Sequence, residues 1–272
     1  MANQFDYAPY FTVEKKDYIA TVTLSRPEKY NTIGAPFYYA LLAVKDELIN
    51  DKSIRVVVLL ADGKHFSAGT DLEYLSQDRK KMEDGRGRAL YGIQQWQEGF
   101  GFFEDFDIPV IAGIQGACLG SGIELIASCD MRIATENSNY FMGEVKTGMC
   151  TDLGGATRLT RLLGRSQALR LLLTAERIGA QEALRIGLVD LVVPNEDLRK
   201  VTMDYARTIA KMSPFAVMTT KRVVNIAAES GLRAGLAAER IQSGYVTQTK
   251  DRLTAIHAMM AGGDYAPEFT LE

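Results

Sequence analysis

Histidine is almost missing from this chain of 272 residues: His65 and His257 are the only two, far apart and without a companion at metal-ligand spacing. A histidine metal centre or a histidine general base therefore has little support. Cysteine is scarce as well. Cys118, Cys129 and Cys150 are an odd set with no Cys-x-x-Cys spacing, so no disulfide framework is expected and all three read as reduced core residues. Apolar runs such as Val56 to Ala61 fall far short of a bilayer span, and Met1 to Asp6 lacks the basic and apolar regions of a signal peptide. Thr270-Leu271-Glu272 is no peroxisomal address, so no membrane association and a cytoplasmic location are expected. Excess charge of one sign is also lacking: 31 Lys+Arg against 34 Asp+Glu give a net charge of −3. Nucleic-acid binding needs a concentrated basic face, so the expected partner is a small molecule.

What is present points to an α/β body. Ile19 to Leu24 (IATVTL) alternates at period two, and Ile54 to Leu60 (IRVVVLL) is a β-branched run suited to a buried strand. Between them Pro36 opens FYYALLAVKDELIN, whose apolar residues recur at helical spacing. Val110 to Ile114 reads as another buried strand, with shorter candidates at Met131 to Ala134 and Tyr140 to Met142. From about Gly154 onward the pattern turns helical, broken by one short strand at Leu188 to Val193. Amphipathic segments follow Pro214 up to about Met260 and would cover the body or join subunits, so residues 1–205 are expected to form the core and 206–272 a helical region. Arg79 to Arg88 is charged and glycine-broken. It reads as a solvated loop, or as a lid with basic contacts for a phosphorylated group.

Three stretches carry candidate chemistry. In the first, Ile111 to Asp130 (IAGIQGACLGSGIELIASCD), a buried strand runs through Gly116, Gly120 and Gly122 into an apolar-periodic helix. Free N–H groups at such a junction suit a developing oxyanion, although the same glycines also suit a tight connection with no ligand. Glu124 shifts the balance toward a site, because a carboxylate one turn after Ser121 in an apolar run is costly without a task. In the second stretch, His65 to Glu73 (HFSAGTDLE) follows a strand at the end where α/β sheets bind ligands. Asp71 reads equally as a helix cap. In the third, Tyr140 to Gly155, Glu144 and Asp152 are placed where they could converge with Glu124 for proton transfer. The alternatives are Asp152 as an N-cap, and Glu144 paired with Lys146 or an arginine.

In this order and spacing the three stretches resemble the crotonase superfamily, the enoyl-CoA hydratases and isomerases. The resemblance covers nearly the whole chain. It begins at Leu24-Ser25-Arg26-Pro27-Glu28-Lys29-Tyr30-Asn31, similar to the family's NRPxxxN segment, and continues through Phe66 to Leu72 and Pro109 to Ala112. It is most specific from Gly116 to Asp130 and returns at Arg158 to Arg161, Ala180 to Ala183 and Gly187 to Val189. The implied fold is an α/β spiral of β-β-α turns with a C-terminal helical region that builds trimers, often paired into hexamers. The implied ligand is an acyl-CoA held around Ala68, Gly69, Thr70, Asp71, Leu72, Ser121 and Gly122. Its thioester carbonyl would accept backbone N–H bonds from Thr70 and Ser121, stabilising an enolate. Coenzyme A enters as part of the substrate, and no other cofactor and no metal are implied. Serine at 121 replaces the usual glycine, a change that leaves the main-chain donor in place.

The resemblance also divides the acids between two reactions. Glu124 and Glu144 fall on the glutamates that in hydratases hold and activate the water added to a 2-enoyl-CoA. Asp152 falls where hydratases usually carry glycine and dienoyl-CoA isomerases an aspartate, although that branch's usual other aspartate is Glu124 here. Double-bond isomerisation and hydration both remain open. The further alternative is a CoA-thioester hydrolase or other lyase on the same scaffold, or a non-catalytic CoA-binding subunit, for which three retained acids would be superfluous. A serine hydrolase built on Ser121 has little support, because Leu119 breaks the Gly-x-Ser-x-Gly elbow.

Overall fold

Val56 to Ala61 contains no polar side chain, and such a strand is stable only when both of its faces are covered. The computed structural model describes residues 7–73 and 86–262 and covers both faces. The strands are β1 (Phe11–Lys16), β2 (Ile19–Leu24), β3 (Val56–Ala61), β4 (Val110–Ile114), β5 (Ala117–Leu119), β6 (Met131–Thr135), β7 (Asn139–Phe141), β8 (Arg177–Gly179) and β9 (Leu191–Val193). The helices are α1 (Ala35–Asn50), α2 (Arg86–Asp105), α3 (Ser121–Ile126), α4 (Gly155–Leu163), α5 (Arg165–Thr174), α6 (Ala180–Ile186), α7 (Leu198–Ala210), α8 (Pro214–Glu229), α9 (Leu232–Val246) and α10 (Lys250–Met260).

Six strands form one sheet in the order β1-β2-β3-β4-β6-β9, parallel except for the antiparallel β1–β2 edge. Successive side chains of β3 point to opposite faces. Val57 and Leu59 join Phe37, Leu41 and Val44 of α1 in one apolar cluster. Val56, Val58 and Leu60 join Leu198, Ala206 and Ala210 of α7 in the other. A smaller sheet, β5-β7-β8, stands beside the first and carries the two turns that matter for function, one after β5 and one after β7.

The strand and helix readings hold in kind, with shifted ends. β1, β5 and β8 are additions, so the part after Gly154 contains two short strands rather than one. β1 escapes notice because FTVEKK has few apolar residues. Its hairpin turn places Asp17 and Tyr18 at positive φ (53° and 65°) without the Asn-Gly signature of that shape. Cys118 and Cys129 are buried as expected, but Cys150 is exposed: it sits on the turn between Glu144 and Asp152, next to Met149, which is exposed too. The charged stretch Arg79 to Arg88 lies outside the described residues up to Gly85, and α2 begins at Arg86. The division expected at residues 205/206 falls inside α7, whose Thr202 and Ala206 are buried. Among the described residues no helix is long and apolar enough to cross a membrane.

Candidate active site

The loop after β3 is built around Asn31. Its Nδ2 donates to the carbonyls of Asp62, His65 and Phe66 at 3.1, 3.2 and 3.1 Å, and its own carbonyl accepts from Ser67 Oγ at 2.8 Å. Ser67 then bonds β5 through its N–H to Ala117 O and its carbonyl to Leu119 N, while His65 Nδ1 accepts the Ala117 N–H at 3.0 Å. His65 is therefore occupied as a brace. A short parallel bridge follows, in which Ile33 donates to Gly69 O and accepts from Asp71 N. In that register the N–H of Thr70 faces away from Ile33.

The same loop brings Thr70 beside the start of α3. Gly69 lies so close to β5 that a Cβ there would sit 2.6 Å from Leu119 O, and its φ is +83°; both facts require glycine. Thr70 Oγ1 and Ser121 Oγ are 2.9 Å apart and hydrogen-bonded. Ser121 is the first residue of α3, where an N–H has no intrahelical acceptor. Among the described residues neither Thr70 N–H nor Ser121 N–H bonds a backbone carbonyl. Two residues 51 apart in sequence are thus joined through their hydroxyls, which brings the loop after β3 against the first residue of α3.

Glu124 stands one turn further along α3, only 2% exposed. Its Oε1 accepts the N–H groups of Leu153 (3.1 Å) and Gly155 (2.9 Å), and a Cβ on Gly155 would lie 2.8 Å from that oxygen. Burial pushes the Glu124 carboxyl up to about 7, the carboxylates of Glu144 and Asp152 adding to the rise against the two amide bonds. Glu144 opens the 3₁₀ turn after β7, close to Gly120, where a Cβ would be 3.0 Å from Glu144 Oε1. Its Oε2 is buried without a hydrogen-bond partner. Burial raises its pKa, with Asp152 as a further cause, and burial raises that of Asp152 too. The three acids converge on one place.

The structural alternatives separate cleanly. Lys146 lies over the Phe141 ring, 5.1 Å from its centre, and no salt bridge to Glu144 is found among the described residues. Asp152 is not the cap of α4, a position held by Gly154. Asp71 does act locally: its Oδ1 accepts the Glu73 N–H at 2.9 Å. Gly122 serves packing, since a Cβ there would meet Ser67 Cβ at 3.0 Å, while Leu72 is largely exposed at the loop's end. Among the described residues no group of three or more His, Cys, Asp or Glu is placed to hold a metal ion.

Comparison with known proteins decides the lineage. The enoyl-CoA hydratase/isomerase family model matches residues 14–262. The chain belongs to the enoyl-CoA hydratase/isomerase family. A short-chain-enoyl-CoA hydratase of Clostridium acetobutylicum is 34% identical over 249 residues, covering 91% of this chain and 93% of the relative. A mitochondrial Delta(3,5)-Delta(2,4)-dienoyl-CoA isomerase of Dictyostelium discoideum is 31% identical over 250 residues, 89% of this chain and 85% of the relative. The solved structure of an enoyl-CoA hydratase from Bacillus anthracis aligns with a TM-score of 0.88 at 30% identity, over 97% of this chain and 100% of that one. The protein is accordingly an enzyme of the crotonase fold. In this hydratase/isomerase the turn carrying Asp152 is also held by Gln97, which no motif flagged and whose Nε2 donates to Asp152 O at 2.7 Å, and by Arg158, which the family resemblance reached without giving it a role and which donates to Leu153 O at 3.0 Å.

Proposed function

We propose that this hydratase/isomerase moves the double bonds of a 3,5-dienoyl-CoA to the 2,4 position. The thioester oxygen would rest on the N–H groups of Thr70 and Ser121, with Ala68 to Leu72 and Gly122 forming the surrounding cradle. Asp152 takes a proton from C2, and the electron pair passes into an enolate conjugated with both double bonds, whose oxygen is held by the two donors. Glu144 delivers a proton to C6, so that the 3,5 bonds become 2,4 bonds and the carbonyl reforms. Glu124 holds the turn that carries Asp152. The observation that supports this division is the unequal bonding of the two glutamates: Glu124 Oε1 is clasped by two amides, whereas Glu144 Oε2 is buried without a hydrogen-bond partner.

Hydration of a 2-enoyl-CoA is the second reading, favoured by the presence of both glutamates. The reaction class is tested by exchange. The enzyme is expected to wash the α-protons of a saturated acyl-CoA into deuterated water, to lose this in Asp152→Asn, and to retain it in part in Glu144→Gln. Absence of exchange in the parent enzyme, with no better binding than free pantetheine, removes the enolate reading.

The helices after Pro214 bear on assembly. Val224, Leu232, Leu236, Ile241, Tyr245 and Met259 are exposed large apolar side chains on α8, α9 and α10, and such faces fit burial against further copies of the chain. A trimer or hexamer is expected in sedimentation; a monomer at micromolar concentration contradicts it. A cytoplasmic location remains part of the proposal.

A further inference from the structure

Gln97, Gly101 and Glu104 are spaced i, i+4, i+7 along α2 and share one face. That face is laid against the turn carrying Asp152. Gln97 Nε2 donates to the Asp152 carbonyl at 2.7 Å. At Gly101 a Cβ would lie 2.9 Å from Arg158 Nη2, so the bare backbone admits the guanidinium. Glu104 Oε2 accepts from Arg158 Nε at 2.8 Å, and Arg158 Nη1 donates to the Leu153 carbonyl at 3.0 Å. From the opposite side Glu124 takes the Leu153 N–H.

The peptide group joining Asp152 to Leu153 is therefore bonded at both ends, its carbonyl by Gln97 and its N–H by Glu124. A plane tied at both ends cannot flip, which sets ψ of Asp152 and with it the direction of the side chain. The register of α2 is itself locked next to Gln97. Tyr38 stacks on Trp96 with ring centres 4.7 Å apart, its hydroxyl donates to Gln95 O at 2.9 Å, and Gly99 leaves room for its ring, since a Cβ there would lie 2.6 Å from Tyr38 Cε2.

We infer that Gln97 is a positioning residue for Asp152: it fixes the 152–153 peptide from the side opposite Glu124 and so aims the Asp152 carboxylate at the bound acyl chain. This rests on the base role proposed for Asp152. Gln97→Met keeps length and helix propensity and removes only the donor. On a 3,5-dienoyl-CoA it is expected to lower kcat roughly tenfold with KM changed less than about twofold, because a misaimed reacting group costs rate rather than binding. The melting temperature is expected to stay within about 2 °C of the parent, the bond being near the surface.

A double-mutant cycle separates positioning from plain structural support. Added to Asp152→Asn, Gln97→Met is expected to change the residual kcat by less than about twofold, since the group it aims is already gone. The same tenfold loss in that background identifies a structural role and overturns the inference. Full kcat in Gln97→Met beside a crippled Asp152→Asn overturns it too, while leaving the base role standing. Full dienoyl activity in Asp152→Asn alone shows that the base role has failed, and the inference falls with it.

Discussion

Asp152→Asn is expected to lower kcat on a 3,5-dienoyl-CoA by about 10²- to 10⁴-fold, the usual worth of a positioned proton-transfer group, while hydration of a 2-enoyl-CoA stays near the parent rate. Asparagine preserves the shape of the side chain and leaves the backbone bonds of Gln97, Arg158 and Glu124 to the turn in place. Only the proposed base is removed. Glu144 cannot substitute for it in the proposed arrangement, because it serves the far end of the diene. Burial raises the pKa of both acids, so a pair with one carboxyl ionised and the other protonated persists closer to neutral pH than two free carboxylates would allow. Glu124→Gln provides the contrast. In isomerisation it keeps the two amide bonds that hold the turn and removes no proton-transfer group, whereas in hydration it removes a group that handles water. Diene absorbance and hydration are followed separately for both variants. If Asp152→Asn keeps full activity on both substrates while Glu124→Gln loses hydration, the enzyme is a plain hydratase and the isomerase reading is finished.

Features encoded within one short segment were legible in the sequence, and features made by distant segments were not. The junction of β5 with α3 could be read directly, since glycines followed by a carboxylate one turn into an apolar helix are a local pattern. The adjacency of Thr70 and Ser121 is not local: it depends on the Ile33–Thr70 and Ser67–Cys118 bridges and on Asn31, and only the family resemblance joined the two residues in advance. Gln97 carries no signal in the sequence, and Arg158 falls in a segment of the family resemblance that gives it no role; both gain one only when the Asp152 turn is seen lying on α2. Gly69 and Gly155 show the same limit. Small residues near a site suggest room for a ligand, yet Gly69 makes room for Leu119 O and Gly155 for the Glu124 carboxylate. Cys150 misled because cysteine is usually buried, whereas its turn leaves the sheet open to solvent.

Glu124→Gln is also expected to stabilise the protein at pH 8 and to flatten its stability across the acid range. Glu124 is buried and its carboxyl is raised from an ordinary 4.5 to about 7, so between those values the folded state keeps a proton that the unfolded state has released. Folding is then favoured by low pH: the contribution is complete below pH 4.5 and has been lost once the pH has risen through about 7. At 1.36 kcal/mol per pH unit this amounts to about 3 kcal/mol. Glutamine carries no charge and can still accept the Leu153 and Gly155 N–H bonds through its carbonyl oxygen, so it removes the proton linkage and spares the turn. Urea midpoints at pH 5 and pH 8, at one fixed protein concentration, measure the difference for parent and variant. The drop between the two pH values is expected to shrink by roughly this amount in the variant, while an identical drop in both proteins shows that Glu124 is ionised in the fold at ordinary carboxylate pH. The mechanism has a stake in the outcome. Below about pH 7 Glu124 is mostly protonated and adds little negative charge beside Asp152, which leaves that carboxylate free to ionise and to act as the proposed base.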